Sequence, residues 1–203
     1  MSIEKEITKP TRGNGLLEGF LAKKRAEIAN KLIPQGVRSG RLLDVGCGTF
    51  PYFLNNTRFR EKFGIDKEIG SGFIQTPSLS LSKFDFENDD FLPFREGYFD
   101  VVTLLAVLEH LKPDRVAGAM KECRRVLKDG GQLIITTPAF WTDKLLRGMA
   151  ALRLVSSEEI LEHKDVYSHS KIAAALCSGG FSREKMRFGY FELFMNIWAV
   201  VVK

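Results

Sequence analysis

The sequence has few cysteines, and they lie far apart. Cys47, Cys123 and Cys177 are an odd number of thiols at wide spacing. This pattern fits neither a disulfide scaffold nor a thiolate metal cluster. We therefore expect three reduced thiols and no metal site.

Long apolar runs are also missing. No stretch approaches the roughly 20 apolar residues that a membrane-spanning helix requires, and residues 1–15 lack the apolar core of a signal peptide. These absences predict a cytoplasmic protein, with peripheral membrane contact as the remaining route to a bilayer. A length of 203 residues and 44% apolar content predict one domain over residues 1–203.

Concentrated charge is a third absence. The formal net charge is +5, and the basic residues are spread along the chain. This excess suits an acidic or phosphorylated substrate, or loose contact with anionic lipid. Nucleic-acid binding is disfavoured because there is no dense basic patch with interleaved aromatic residues.

The most informative stretch that is present is LLDVGCGTF at residues 42–50. A short apolar run ends in an acid and two glycines, which indicates a buried strand followed by a tight turn. Ligands of open α/β sheets lie at the carboxyl ends of the strands. Asp66 follows Gly46 by 20 residues, the spacing of a ribose-binding acid, and the alternative is an ordinary turn residue.

Further elements follow from periodicity and turn residues. Apolar residues at helical spacing predict a helix over 16–33 that Pro34 ends. The Gly, Ser, Thr and Pro of residues 67–82 predict a loop, which a short strand over 84–86 follows. The later predictions are a buried strand at 101–105, a helix from Pro113 to Leu127, a strand at 132–136, a helix at 171–177 and two closing strands.

Together these motifs resemble the class I S-adenosylmethionine-dependent methyltransferases, in the group with small-molecule-type domains. The resemblance implies an α/β, Rossmann-like three-layer sandwich with a seven-stranded, mostly parallel sheet ending in an antiparallel hairpin. It also implies S-adenosyl-L-methionine as cofactor and S-adenosyl-L-homocysteine as product. Phe50 and Pro51 depart from the family, which often has a third small residue there. The matching stretches are LLDVGCGTF, GID, FDFEND, LPFREGYFDVV, LLAVLEHL and RRVLKDGGQLIITTP.

The acid of the glycine motif helps to choose between cofactors. Asp44 precedes Gly46 by two residues, where it would repel the pyrophosphate of a dinucleotide. S-adenosylmethionine carries an ammonium and a sulfonium, so an acid is favourable beside it. The resemblance implies that Asp44 binds the ammonium, that Gly46 and Gly48 allow close backbone approach, and that Cys47 is a small filler.

The resemblance also implies the remaining cofactor contacts. Asp66 would bind the ribose hydroxyls, and Asp85 would accept a hydrogen bond from the adenine amino group. The backbone amide of Phe86 would donate to the adenine ring. The carbonyl of Leu105, at the end of the fourth strand, would accept from the ammonium.

Catalytic residues are harder to predict, because a base is needed only when the acceptor holds a proton. Glu109 and His110 follow the fourth strand. Some relatives bind a metal here through Glu-x-x-Glu-His, but Ala106 occupies the first position, and no metal is predicted. His163 and Tyr167 are further candidates, and structural roles for all of them remain open.

Residues 139–182 are predicted to form a lid-like insertion that contacts the acceptor. The predicted function is methyl transfer by in-line displacement to a small-molecule or a lipid- or sugar-linked acceptor. The alternatives are a cofactor-binding, non-catalytic regulatory partner and a nucleic-acid methyltransferase. The last is disfavoured because residues 105–108 are Leu-Ala-Val-Leu, not the Asn/Asp-Pro-Pro-aromatic sequence. The acceptor atom and the oligomeric state are not predicted.

Overall fold

The computed structural model describes residues 18–70, 74–142 and 165–203. Eight strands in these ranges form one sheet. They are β1 (Arg41–Val45), β2 (Glu61–Asp66), β3 (Ile74–Thr76), β4 (Leu79–Lys83), β5 (Phe99–Leu105), β6 (Leu127–Pro138), β7 (Met186–Phe191) and β8 (Asn196–Val202). The helices are α1 (Glu18–Leu32), α2 (Tyr52–Asn55), α3 (Pro113–Val126) and α4 (His169–Ser178).

The strand order is β3-β4-β2-β1-β5-β6-β8-β7. The five strands from β4 to β6 are parallel, and β8 pairs antiparallel with both β6 and β7. The predicted mostly parallel seven-stranded sheet with a closing antiparallel hairpin is confirmed. The short strand β3 is an addition that pairs antiparallel with β4 at the opposite edge.

The prediction for residues 67–86 was wrong in its boundaries. The strand expected at 84–86 lies at Leu79–Lys83, and β3 and β4 occupy most of the described part of the expected loop. Leu and Ser alternate through residues 79–82, and Leu81 is buried. This alternation is a strand signal, but the Pro, Thr and Ser composition around it resembles a loop.

Helices cover both faces of the sheet and produce three layers. Leu42 and Leu43 are consecutive in β1 and point to opposite faces, yet both are fully buried. Leu42 packs in a cluster with Ala26 and Ala29 of α1. Leu43 packs in a second cluster that contains the α3 and α4 side chains Val116, Ala119, Met120, Cys123, Val126, Ile172 and Leu176.

Helix α1 confirms the predicted N-terminal helix in the described part of residues 16–33. Its two buried alanines bring the helix close to the sheet, so α1 lies beside the glycine turn that follows β1. All three cysteines are free: Cys47 and Cys123 are buried, and Cys177 is exposed. In the described ranges, no helix is both long and apolar enough to span a membrane.

A buried ion pair holds the connection that leads into β5. The Arg125 guanidinium donates to Glu122 Oε2 at 2.7 Å and to the carbonyl of Phe94 at 2.8 Å. The amide of Leu92 donates to the same Glu122 oxygen at 2.8 Å. Burial raises the pKa of Glu122, but the bonds from Arg125 and Leu92 outweigh it and lower the pKa overall. The LPF sequence at 92–94 is thus anchored to α3.

Candidate functional site

The glycine turn lies at the carboxyl edge of the sheet, between the ends of β1 and β2. Gly46 has a φ of 74° and Gly48 a φ of 72°, a region that residues with a side chain rarely adopt. The amides of Gly46 and Cys47 donate to the carbonyl of Ile65 at 2.8 and 3.2 Å. These two bonds fasten the turn to the end of β2.

The two glycines have different surroundings. A Cβ atom on Gly46 would lie 2.4 Å from Cγ2 of Val107, which follows β5. A Cβ atom on Gly48 would have no neighbour closer than 3.9 Å, the carbonyl oxygen of Phe50. Gly46 therefore permits close packing of two chain segments, whereas Gly48 faces open space.

Asp44 is a buried acid in the centre of this edge, with 3% of its surface exposed. In the sheet register it lies opposite Gly64 of β2 and Thr103 of β5. The Thr103 hydroxyl donates to Asp44 Oδ1 at 2.6 Å. The pKa of Asp44 is raised to about 7: burial is the main cause, the charge of Asp66 acts in the same direction, and the Thr103 bond opposes both.

Asp66 is the last residue of β2 and is 2% exposed. The amide of Gly48 donates to its Oδ2 and the amide of Glu68 to its Oδ1, both at 2.9 Å. Its own carbonyl accepts from the amide of Phe84 at 3.2 Å. The carboxylate thus connects the glycine turn to the segment after β2, and two acids share one edge of the sheet.

Asp85 follows β4 in a loop and does not lie in a strand. Its Oδ1 accepts from the amide of Glu87 at 3.0 Å, and its Oδ2 accepts from Asn88 Nδ2 at 2.8 Å. Phe86 is buried, and its ring lies edge-on to Phe84 with centroids 4.9 Å apart. Both rings belong to the buried core cluster that also contains Val45 and Ile65.

The end of β5 carries an unusual backbone conformation. Leu105 is half-buried, and the next residue, Ala106, has a φ of 58°. Residues other than glycine adopt this region at an energetic cost, which is typically kept at functional sites. The Ala106 amide donates to the carbonyl of Thr136 at 2.9 Å, so the exit of β5 turns sharply over the glycine motif.

The candidate catalytic residues are only partly brought together. His110 lies in the 3₁₀ turn Leu108–His110, with Glu109 buried beside it. Tyr167 is 1% exposed; burial raises the pKa of its hydroxyl, and the charges of Asp165 and Glu109 raise it further. Glu109 and Tyr167 are therefore near neighbours. His163 lies outside the described residues.

Sequence reasoning missed one contact and one conformation at this edge. Thr103 lies within an apolar strand, and its pairing with Asp44 depends on the register between β1 and β5. The only signal was a polar residue in an otherwise apolar run. The conformation of Ala106 had no sequence signal, because alanine rarely adopts a positive φ.

Comparison with known sequences shows which protein family this part of the chain is similar to. The sequence model of the methyltransferase domain matches residues 43–135. That range contains most of β1, all of β2 to β5, most of β6, and both buried acids. The chain is therefore similar to the methyltransferases over residues 43–135, just under half of its length.

Individual relatives agree with this assignment. A protein of Encephalitozoon cuniculi that is named as a methyltransferase is 51% identical over 105 residues, which cover 48% of this chain and 45% of the relative. The uncharacterised methyltransferase YcgJ of Bacillus subtilis is 29% identical over 101 residues, which cover 47% of this chain and 39% of the relative. The match thus spans less than half the length of these curated relatives.

Solved structures share the fold of the methyltransferase domain. A chain from the complex between the Haloferax volcanii Trm112 methyltransferase activator and a methyltransferase superposes with a TM-score of 0.69 at 18% identity, covering 92% of this chain and 91% of that chain. At this identity the similarity concerns the fold.

Exposed apolar side chains collect near the carboxyl end of β6, where β8 begins. Phe140 and Trp141, after β6, are 55% and 45% exposed, and Leu193 and Phe194, between β7 and β8, are 86% and 66% exposed. The amide of Ala139 donates to the carbonyl of Met195 at 2.9 Å and joins the two segments. We call the four exposed side chains the apolar rim.

The turn that presents half of this rim is strained. Glu192, Leu193 and Phe194 have φ values of 51°, 53° and 69°, and each non-glycine residue in this region costs roughly 1–2 kcal/mol. Burial raises the pKa of Glu192, while Arg25 and Lys24 of α1 lower it. The turn therefore lies close to the basic side of α1.

Among the described residues, no group of three or more His, Cys, Asp and Glu side chains could hold a metal ion. The acids at the sheet edge are spread over the ends of β1, β2 and β4.

Proposed function

We propose that this protein binds S-adenosyl-L-methionine and transfers its methyl group to an acceptor with an apolar part. The observation that carries the proposal is the buried Asp44 carboxylate beside an open glycine turn. Its hydrogen-bond donor is the neutral Thr103 hydroxyl, and its charged neighbour Asp66 is also an acid. A nearby cation would stabilise the ionised form of a buried carboxylate in such surroundings, and the ammonium of the cofactor would supply that cation.

The other described residues fit the rest of the cofactor. Asp66 would bind the ribose hydroxyls, because a carboxylate can accept both hydrogen bonds of a vicinal diol. Asp85 and the Phe86 amide would bind the adenine against the Phe84 and Phe86 rings. Cys47 would fill space beside the turn, and the Leu105 carbonyl would accept from the ammonium.

When bound, S-adenosylmethionine supplies an electrophilic methyl group on a cationic sulfur, which a nucleophile takes in one displacement. The chain then has to align the acceptor and exclude water. Tyr167 keeps its proton at neutral pH because burial raises its pKa, so it suits a hydrogen-bond donor better than a base. His110, beside Glu109, is the better described candidate for accepting a proton, and His163 stays a prediction.

Calorimetric titration of the wild-type protein with S-adenosylhomocysteine tests cofactor binding, and we expect micromolar affinity. The Asp66→Ala variant should bind about 10- to 100-fold more weakly, because it loses hydrogen bonds to a charged group. Methylthioadenosine, which retains the ribose, should be affected equally. Wild-type protein without affinity would refute the proposed function, and unchanged affinity in Asp66→Ala would refute the ribose assignment.

The apolar rim supports an acceptor with an apolar part, such as a lipid-linked molecule. Leu193 and Phe194 point outward from a strained turn next to the basic α1, so an amphiphile with an acidic head would find both features together. When cell extract is incubated with the protein and labelled methyl donor, the labelled product should therefore partition into the organic phase. Label confined to small molecules of the aqueous phase would refute the lipid-linked acceptor, and binding without any labelled product would favour a non-catalytic role.

A pair of exposed phenylalanines tests the rim. Phe194→Ser should lower transfer to the organic-phase acceptor about 10-fold, which corresponds to roughly 1.4 kcal/mol of lost apolar contact. Phe91 is 74% exposed but lies in the loop before β5, so Phe91→Ser is the matched control and should retain activity. Affinity for S-adenosylhomocysteine should stay the same in both variants. Equal activity losses in both would contradict a role for the rim.

A further inference from the structure

Thr103 is a fully buried polar residue in the central strand β5. The last five residues of β5 are Val, Val, Thr, Leu and Leu, so Thr103 is the polar residue in an apolar run. It lies directly opposite Asp44 in the register between β1 and β5. A valine would satisfy the packing of such a position, so the hydroxyl requires a separate explanation.

The hydroxyl is directed at the acid. Thr103 Oγ1 lies 2.6 Å from Asp44 Oδ1 and 3.3 Å from the carbonyl oxygen of Leu43. A hydroxyl has one proton to donate, and the short distance to the carboxylate is typical of a hydrogen bond to an anion. Because the threonine side chain is stiff about χ1, this bond also fixes the rotation of the carboxylate.

The bond acts against the rest of the surroundings. Burial and the charge of Asp66, on β2, both favour the protonated form of Asp44, and the Thr103 hydroxyl favours the ionised form. Among the described titratable groups, Asp66 is the one whose charge acts on Asp44. Without Thr103, two acids would share this edge with no hydrogen bond to hold Asp44 in its charged state.

We infer that Thr103 is a positioning residue that holds the Asp44 carboxylate ionised and aimed at the ammonium of the cofactor. This inference rests on the proposed function, since it requires that the ammonium binds at Asp44. Thr103 would act through Asp44 and would not touch the cofactor itself. It would raise affinity for ligands that carry the ammonium and leave other ligands unaffected.

The test is calorimetric titration of the Thr103→Val variant between pH 6 and 8.5. S-adenosylhomocysteine should bind about 10-fold more weakly at pH 7, and the rise of its affinity with pH should move to higher pH. Methylthioadenosine, which has the adenosine part but no ammonium, should bind equally to variant and wild type. Thr103→Ser, which restores a hydroxyl, should recover most of the affinity for S-adenosylhomocysteine.

Thr136 provides the matched control. It is 1% exposed in the neighbouring strand β6, and its hydroxyl has no hydrogen-bond partner among the described residues. Thr136→Val makes the same chemical change at equal burial and should leave both affinities and the pH profile unchanged. An equal effect of Thr136→Val and Thr103→Val would show a general packing effect and would overturn the inference.

The outcomes separate the inference from the proposed function. Wild-type protein that fails to bind S-adenosylhomocysteine would refute the proposed function and the inference with it. Wild-type protein that binds, with Thr103→Val unchanged in affinity and pH profile, would overturn the inference alone. Equal losses for S-adenosylhomocysteine and methylthioadenosine would also overturn it, because a structural defect does not distinguish the two ligands.

Discussion

Asparagine in place of Asp44 is expected to weaken S-adenosylhomocysteine binding about 100-fold while making the free protein more stable at alkaline pH. The loss of affinity follows from removing a buried charge that would face the ammonium, a bond worth roughly 2–3 kcal/mol. The gain in stability follows from the same burial. Burial raises the pKa of Asp44 to about 7, so the folded free protein is penalised for ionising it.

The sign of the pH effect follows from proton binding. The pKa of Asp44 is higher in the folded state, about 7, than its ordinary value of 3.8. Between these values the folded state holds a proton that the unfolded state has released, so stability falls as pH rises toward 7 and then levels off. The wild type should therefore lose roughly 2–3 kcal/mol relative to Asp44→Asn between pH 5 and pH 8.

Urea denaturation of both proteins at pH 5 and pH 8 measures this difference, and calorimetry measures the affinity. Methylthioadenosine is the control ligand, because it lacks the ammonium and should bind equally to both. If the free energy of unfolding changed with pH in the same way in the wild type and in Asp44→Asn, the raised pKa of Asp44 would be contradicted. An equal loss of affinity for both ligands would contradict the pairing of Asp44 with the ammonium.

Alanine in place of Gly46 is expected to lower the free energy of unfolding by about 3 kcal/mol. The positive φ accounts for roughly 1–2 kcal/mol, and overpacking against Val107, at 2.4 Å, adds about 1–3 kcal/mol. Gly48→Ala is the matched variant, since Gly48 has nearly the same φ but open space around it. It should lose only the part of the stability that the positive φ accounts for, while its new methyl group would occupy the space where we propose that the cofactor binds.

Thermal and urea denaturation of five proteins separate the two contributions: the wild type, Gly46→Ala, Val107→Ala, the double variant and Gly48→Ala. In the double variant Gly46→Ala, Val107→Ala, the clashing methyl groups are absent, so the two substitutions should be coupled by about 1 kcal/mol or more in the favourable direction. For Gly48→Ala, the loss in free energy of S-adenosylhomocysteine binding should instead exceed the loss in free energy of unfolding. Identical stability of Gly46→Ala and Gly48→Ala would contradict the contact with Val107.

Local patterns predicted the centre of the site well. The run LLDVG indicates a buried strand and a glycine turn within nine residues, and the structure places β1 and two positive-φ glycines there. Asp66 was recognised from its spacing, and it does end β2 beside the turn. Such features depend on short stretches of backbone, which residue type controls strongly.

The failures have a different origin. Strand β3 was missed and β4 was misplaced because Ser, Thr and Pro obscured the alternation of Leu79 and Leu81. Asp85 was placed in a strand and lies in a loop two residues beyond the end of β4, because boundaries depend on where pairing with β2 stops. The boundary errors at β4 and Asp85 concern the pairing of β4 with β2, which lies about 17 residues earlier in the sequence.

By itself, the sequence determined that a buried acid and a glycine turn follow one another at the end of a strand. The resemblance of its motifs to the class I methyltransferases also predicted the mostly parallel sheet, which the structure confirms. Tertiary structure alone decided that Thr103 faces Asp44, that Val107 covers Gly46 and that Ala106 takes a positive φ. The reason is that each of these depends on the register between strands that the chain brings together across about 60 residues, and register is a property of the assembled sheet.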